Sequence, residues 1–193
     1  MRTARSSRSP FAAIGGLATA IIVATMGLGA SSGCGASTVD HTPVGNLLDA
    51  DTEGLEGGLG HWEVWYSADV ARTTADARRG DASLRISVTA PDGWGVQLDN
   101  WPGFSAAPGR HHVDLWVRAV SSRALDLAAA VRWRDDAGNA LQTDVVRVRP
   151  SSGWQSSSRD LTAPTGTTRA AIELTGSEGG PGDILDVDEI FLL

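Results

Sequence analysis

RHHVDLWVRA, residues 110–119, alternates polar and apolar side chains from His112 onward. Taken as a strand, it sends Val113, Leu115, Val117 and Ala119 to one face and His112, Asp114, Trp116 and Arg118 to the other. The first face predicts a core. The second places a large aromatic between an acid and a base, where a solvated strand usually carries small polar groups. Asp, Trp and Arg on one face suit a sugar ring, whose C–H surface stacks on an indole and whose hydroxyls need hydrogen-bond partners. Binding rather than chemistry is the expectation for this face.

The same alternation recurs on both sides of that stretch. Short apolar runs are separated by Gly, Pro, Asp and Ser, and no segment holds a helical period for three turns. The expected strands are Val44–Leu48, His61–Tyr66, Ser83–Val88, Trp94–Leu98, His111–Ala119, Leu125–Trp133, Asp144–Arg149, Gln155–Leu161, Arg169–Thr175 and Ile184–Leu193. Turn signals fall between them at Asp92-Gly93, Pro102-Gly103, Pro108-Gly109 and Ala137-Gly138-Asn139. Ten strands in an all-β domain indicate a sandwich or jelly roll with two sheets face to face.

Parity along the strands separates core from surface. Leu84, Ile86, Val88, Val96, Leu98, Leu125, Leu127, Ala129, Val131, Val146, Val148, Ile172 and Leu174 share the apolar side. Arg85, Gln97, Asp114, Trp116, Arg118, Arg132, Arg147, Arg149 and Glu173 take the other. A solvated face accounts for most of these polar residues. Gln97, Trp116 and Arg118 are the exceptions to explain, with Arg132 and Arg147 as further hydroxyl donors from neighbouring strands. Of the seven Trp, Trp62 reads as a plug at one end of the core, Trp154 as the cap of a sheet edge, and Trp94 and Trp133 have core parity. Trp65 and Tyr66 stand at a strand end and suit either a core cover or a cleft wall, whereas Trp101 sits in a loop and reads as a rim residue.

The N-terminus has a different character. Arg2, Arg5 and Arg8 precede an uncharged run from Phe11 to Ala30 and a small-residue patch that ends at Cys34, the sole cysteine. Residues 1–33 read as a secretory signal peptide and 34–43 as a short tether, with the β domain over 44–193. The single Cys after such a run resembles a lipoprotein signal, which implies acylation of Cys34 and attachment to a membrane through an N-terminal lipid. Ordinary cleavage near Ala30 and an uncleaved anchor are the competing readings; all three export the domain to the cell envelope or beyond it. With no second cysteine, no internal disulfide is available. Beyond residue 33 lie all 23 acids and 13 of the 16 basic residues, for a net charge of −10. That balance excludes a nucleic-acid partner, which needs a basic footprint.

Several fragments also fall in a known order: Asn46-Leu47-Leu48, LEGGLGHW from Leu55, RRGDASLRI from Arg78, APGRHHVDLWVRA, SGWQ from Ser152, TAPTGTTRAAIEL from Thr162, and LDVDEIFL near the end. In this order they resemble a carbohydrate-binding module of the family 4/9/22 type over nearly the whole β domain. The resemblance implies a galactose-binding-domain-like jelly roll whose concave sheet receives a polysaccharide or oligosaccharide. It also implies a structural calcium joining the N-terminal region to the last strand, with Glu56, or Glu53 in the alternative register, and Asp188 as ligands.

No metalloprotease, nucleophile-elbow or phosphate-loop motif is present, and His111 and His112, as strand neighbours, face opposite ways. The expectation is therefore not an enzyme but a displayed glycan-binding module. Trp116 and Trp101 stack on pyranose rings, while Gln97, Arg118, Arg132 and Arg147 bond hydroxyls. The alternative is a structural or protein-binding envelope lipoprotein of the same fold, whose sheet is closed by Arg–Glu pairs.

Overall fold

The computed structural model describes residues 45–193 apart from Asn100, Ser122 and Ala124. The signal, the tether and Cys34 lie outside the described residues. After a one-turn helix, α1 (Ala50–Glu53), come eleven strands: β1 (Trp62–Tyr66), β2 (Ala68–Thr73), β3 (Ser83–Val88), β4 (Trp94–Leu98), β5 (Phe104–Ser105), β6 (Gly109–Ala119), β7 (Leu127–Arg134), β8 (Ala140–Val148), β9 (Gln155–Ala163), β10 (Arg169–Gly176) and β11 (Ile184–Leu192).

The strands form two antiparallel sheets. The first runs β1-β4-β10-β7-β8, with β5 added to β10, and the second runs β2-β3-β11-β6-β9. From β3 onward the chain passes repeatedly between the sheets, so strands adjacent in sequence often lie in opposite layers, as in a jelly roll. The expected apolar residues fill the space between the layers. Leu84, Val96, Val117, Val131, Leu174 and Val187 are inaccessible to solvent. Trp94 and Trp133 are as deeply buried, and truncating such a residue to Ala costs about 3–5 kcal/mol. The Trp133 indole N–H donates to Asp144 Oδ2 at 2.7 Å, which satisfies its one polar atom.

Two expectations are corrected. Gly45–Leu48, the described part of the anticipated first strand, is irregular: the Leu47 N–H donates to the Leu192 carbonyl, and Asn46 Oδ1 accepts from the Leu192 N–H, a side chain taking the place of a ladder. The second correction is β2, an edge strand that the alternation did not reveal. Its sequence, ADVART, has no clear apolar alternation, and only Ala68 of it is fully buried. Ser67, at a φ of 49°, turns the chain from β1 in the first sheet into β2 in the second within one residue.

Candidate functional site

The two sheets present two polar outer faces, and the candidate residues are divided between them. Trp116 and Arg118 stand on β6 in the second sheet, where they pair across to Asp188 and Asp186 of β11. Gln97, Arg132 and Arg147 stand on β4, β7 and β8 in the first sheet, and Trp101 follows β4. The expectation of one face holding all of them is thus corrected. Strand parity is a local property, but which sheet a strand joins depends on pairing far along the chain.

The second sheet's outer face is closed by its own charges. Asp186, with no exposed surface, accepts from Arg85 Nε at 2.8 Å and from Arg118 Nη2 at 2.8 Å. Arg118 also pairs with Asp76 and lies over Trp154, 5.3 Å from its centroid. The Arg78 guanidinium covers Trp116 at 4.2 Å. Trp116 therefore offers its ring to an internal cation rather than to a ligand. Asp114, beside it, is held above the usual carboxylate range by desolvation.

The first sheet's outer face has exposed aromatics at its ends, while Gly95, Gln97, Glu173 and Ala171 between them are buried. Cross-strand register places Gly95, Thr175, Ala128 and Arg147 in one row, and Glu63, Gln97, Glu173, Ala130 and Val145 in the next. Ala171, Arg132 and Thr143 follow, then Arg169 and Arg134. Small residues form the floor of this face, and aromatics stand at both ends. At one end Trp65 and Tyr66 meet edge to face, with ring centroids 5.1 Å apart. They lean over Gly95, where a Cβ would come within 2.6 Å of the Tyr66 ring, so the absent side chain is what seats them. A bulge between Val64 and Tyr66 brings the two adjacent aromatics to the same place. At the other end Trp101 is 65% exposed and lies over Arg134 and Gly138. Trp101 also lines, with Gly60, His61, Trp62, Glu63 and Asp99, a depression of about 380 Å³.

Polar groups on this floor are anchored yet incompletely used. Gln97 Nε2 donates to Glu63 Oε1 at 2.8 Å, leaving the buried Gln97 Oε1 without a partner. Arg132 Nε lies 2.5 Å from Glu173 Oε1 in an ion pair whose N–H is not aligned for a hydrogen bond. Such fixed, under-satisfied groups between exposed rings suit hydroxyl-bearing ligands. Trp65 and Tyr66 were ambiguous by position alone. The glycine inside the neighbouring strand was the available signal, since it marks close approach by another group.

The acids at which calcium was expected are engaged differently. Asp188, fully buried, accepts the N–H groups of Arg78 and Arg79 on Oδ2 and that of Glu189 on Oδ1. Desolvation pushes its carboxyl up to about 7, against the pull of those N–H bonds. Both Glu56 carboxylate oxygens accept from the Asp81 N–H. Glu189, next in line, pairs with Arg79 Nε at 3.1 Å, and Glu53 is buried nearby in sequence to Glu56. Among the described residues no group of three or more His, Cys, Asp or Glu is arranged to hold a metal ion. Calcium needs about six to eight oxygens turned toward one point, and carboxylates turned toward N–H donors and a guanidinium do not fit that shell.

No protein-family model and no curated protein sequence matches the chain. Solved structures match its fold. The CBM22-1 xylan-binding domain of Paenibacillus barcinonensis Xyn10C aligns with a TM-score of 0.59 at 19% identity, over 76% of this chain and 92% of that one. A family 16 carbohydrate-binding module aligns at 0.57 and 14% identity, over 73% and 96%. An arabinose-bound α-L-arabinofuranosidase aligns at 0.56 and 18% identity, over 70% of this chain and 23% of that enzyme, so the chain spans about a quarter of its length. The two-sheet antiparallel sandwich is that of carbohydrate-binding modules.

Proposed function

We propose that this chain is a non-catalytic glycan-binding module, exported to the cell envelope, that receives a sugar chain across the outer face of its first sheet. The observation that carries this reading is the pairing of exposed aromatics with a floor of small residues: Trp65 and Tyr66 at one end, Trp101 at the other, and Gly95, Ala128, Ala130 and Thr175 between. From Thr175 to Arg169, β10 runs over seven residues, six steps or about 20 Å, which accommodates a short oligosaccharide. Pyranose rings stack on the aromatics while Gln97, Glu63 and Arg132 bond hydroxyls. The fold likeness to modules described as xylan-binding and carbohydrate-binding supports the same class of ligand. Glu63 and Glu173 are held by Gln97 and Arg132, which favours binding over acid–base chemistry.

Export rests on the arginine-led apolar run before Cys34, whose acylation would anchor the module by a lipid. The alternative, an envelope lipoprotein without a glycan site, draws support from the closed face around Trp116. The exposed aromatics of the first sheet favour the glycan reading. Affinity electrophoresis in gels containing soluble xylan, β-glucan or peptidoglycan fragments tests it. Retardation by at least one glycan, lost in Trp65→Ala and Trp101→Ala, is expected; unretarded migration in every gel would overturn it.

A further inference from the structure

We infer that the Trp101 end of the first sheet's outer face takes a carboxylate-bearing sugar, a uronic acid unit within or branching from the glycan, read by Arg134 and Arg169. This deepens the glycan reading and rests on it. The two arginines are direct cross-strand partners on β7 and β10, and Arg132 stands two residues from Arg134 on the same face. Like charges placed directly opposite destabilise a sheet, so a carboxylate between them is the expected native remedy. Neither has one. Arg134 Nη1 donates to the Gly138 carbonyl at 3.1 Å and Arg169 Nη1 to the Gly103 carbonyl at 3.2 Å. Among the described residues no acid forms an ion pair with either.

Most acids that share this region are already engaged, and Asp136, exposed in the turn beside Asp135, forms no ion pair with either arginine. Glu173 is taken by Arg132, Glu63 by Gln97, Asp99 by His61, and Asp135 by Asn139 within its turn. Arg134 also keeps a buried Nε with no partner. Two half-buried arginines are thus each fixed by one bond to a loop carbonyl, Arg134 with its guanidinium 5.4 Å from the exposed Trp101 ring and Arg169 as its cross-strand partner. A guanidinium fork matches a carboxylate in shape and charge, and pre-fixing it lowers the ordering cost of binding. The chain is acidic overall, so this local positive pair runs against the background and gives a site for an anion that the rest of the surface repels.

The test compares native glucuronoxylan with the same polymer after its carboxyl groups are reduced to primary alcohols, by affinity electrophoresis or calorimetry at low salt. Native polymer is expected to bind about tenfold more tightly, the equivalent of about 1.4 kcal/mol. That advantage shrinks in 0.5 M NaCl and falls toward unity in the Arg134→Gln/Arg169→Gln variant, whose folding is checked by its melting temperature. Equal binding of native and reduced polymers, or a preference that survives both substitutions, would sink the inference while leaving the glycan reading intact. Failure of both polymers to bind, together with the other glycans, would remove the two readings together.

Discussion

The outer faces of the two sheets carry the same kinds of side chain to opposite ends. Around Trp116 the arginines are spent internally, with Arg78 over the indole and Asp186 joining Arg85 to Arg118, and only the buried Asp114 Oδ1 beside it keeps no hydrogen-bond partner among the described residues. Around Trp65 and Trp101 the rings face solvent, the floor is Gly and Ala, and polar atoms such as Gln97 Oε1 lack protein partners. A tryptophan between an acid and an arginine is thus no sign of a binding face by itself. What distinguishes a receptive surface is exposed aromatic area together with polar groups that the fold has fixed but not satisfied.

The sharpest way to break this contrast is at Asp186. Replacing it by Asn leaves Arg85 and Arg118 without their buried counter-charge, at an expected cost of about 3–5 kcal/mol in urea unfolding, with glycan affinity of the folded protein preserved. A loss below about 1 kcal/mol would mean that the second sheet is not held by this network.

Trp101→Ala should lower glycan affinity about tenfold or more, since an exposed ring on the ligand path contributes on the order of 1.4–2 kcal/mol, while the melting temperature changes little. Trp116→Ala should do the reverse, costing about 1–2 kcal/mol of stability through lost packing and the Arg78 contact, with affinity unchanged. Calorimetry and thermal melts of the two variants form one crossed experiment; weakened binding in Trp116→Ala would restore the second sheet to the site.

The smallest effect is expected from metal removal. With Arg79 and backbone N–H groups occupying the acids near β11, a chelator should leave the melting temperature where it was, and Arg79→Ala should lower stability by about 1 kcal/mol or less because its side chain is half exposed. A chelator-induced drop would show that these carboxylates turn to a cation in solution.

Much of the fold was legible in the sequence. Ser83–Val88 and Trp94–Leu98 have the bounds expected from alternation, and the residues assigned inward by parity are in the core. Edge strand β2 was not legible, because its inward side carries only Ala68, Val70 and Arg72, of which Ala68 alone is fully buried. The site was legible only in pieces. Gln97, Arg132 and Trp101 lie on the first sheet's outer face, yet Trp116 and Arg118, ranked with them by local pattern, lie on the other sheet. Trp65 and Tyr66 could be placed only when the bulge in β1 and the bare Cα of Gly95 were seen together.

The two-residue period of a strand is a local property, so sequence alone determined which side of each strand is buried and, from the number of short alternating runs, that the domain is an all-β sandwich. Which outward faces become neighbours is set by partners far along the chain, as when Trp116 meets Asp188 and Gln97 meets Glu173. Tertiary structure alone decided that one polar face would neutralise itself and the other keep its aromatics exposed, because a charge is spent or available only according to what packs beside it.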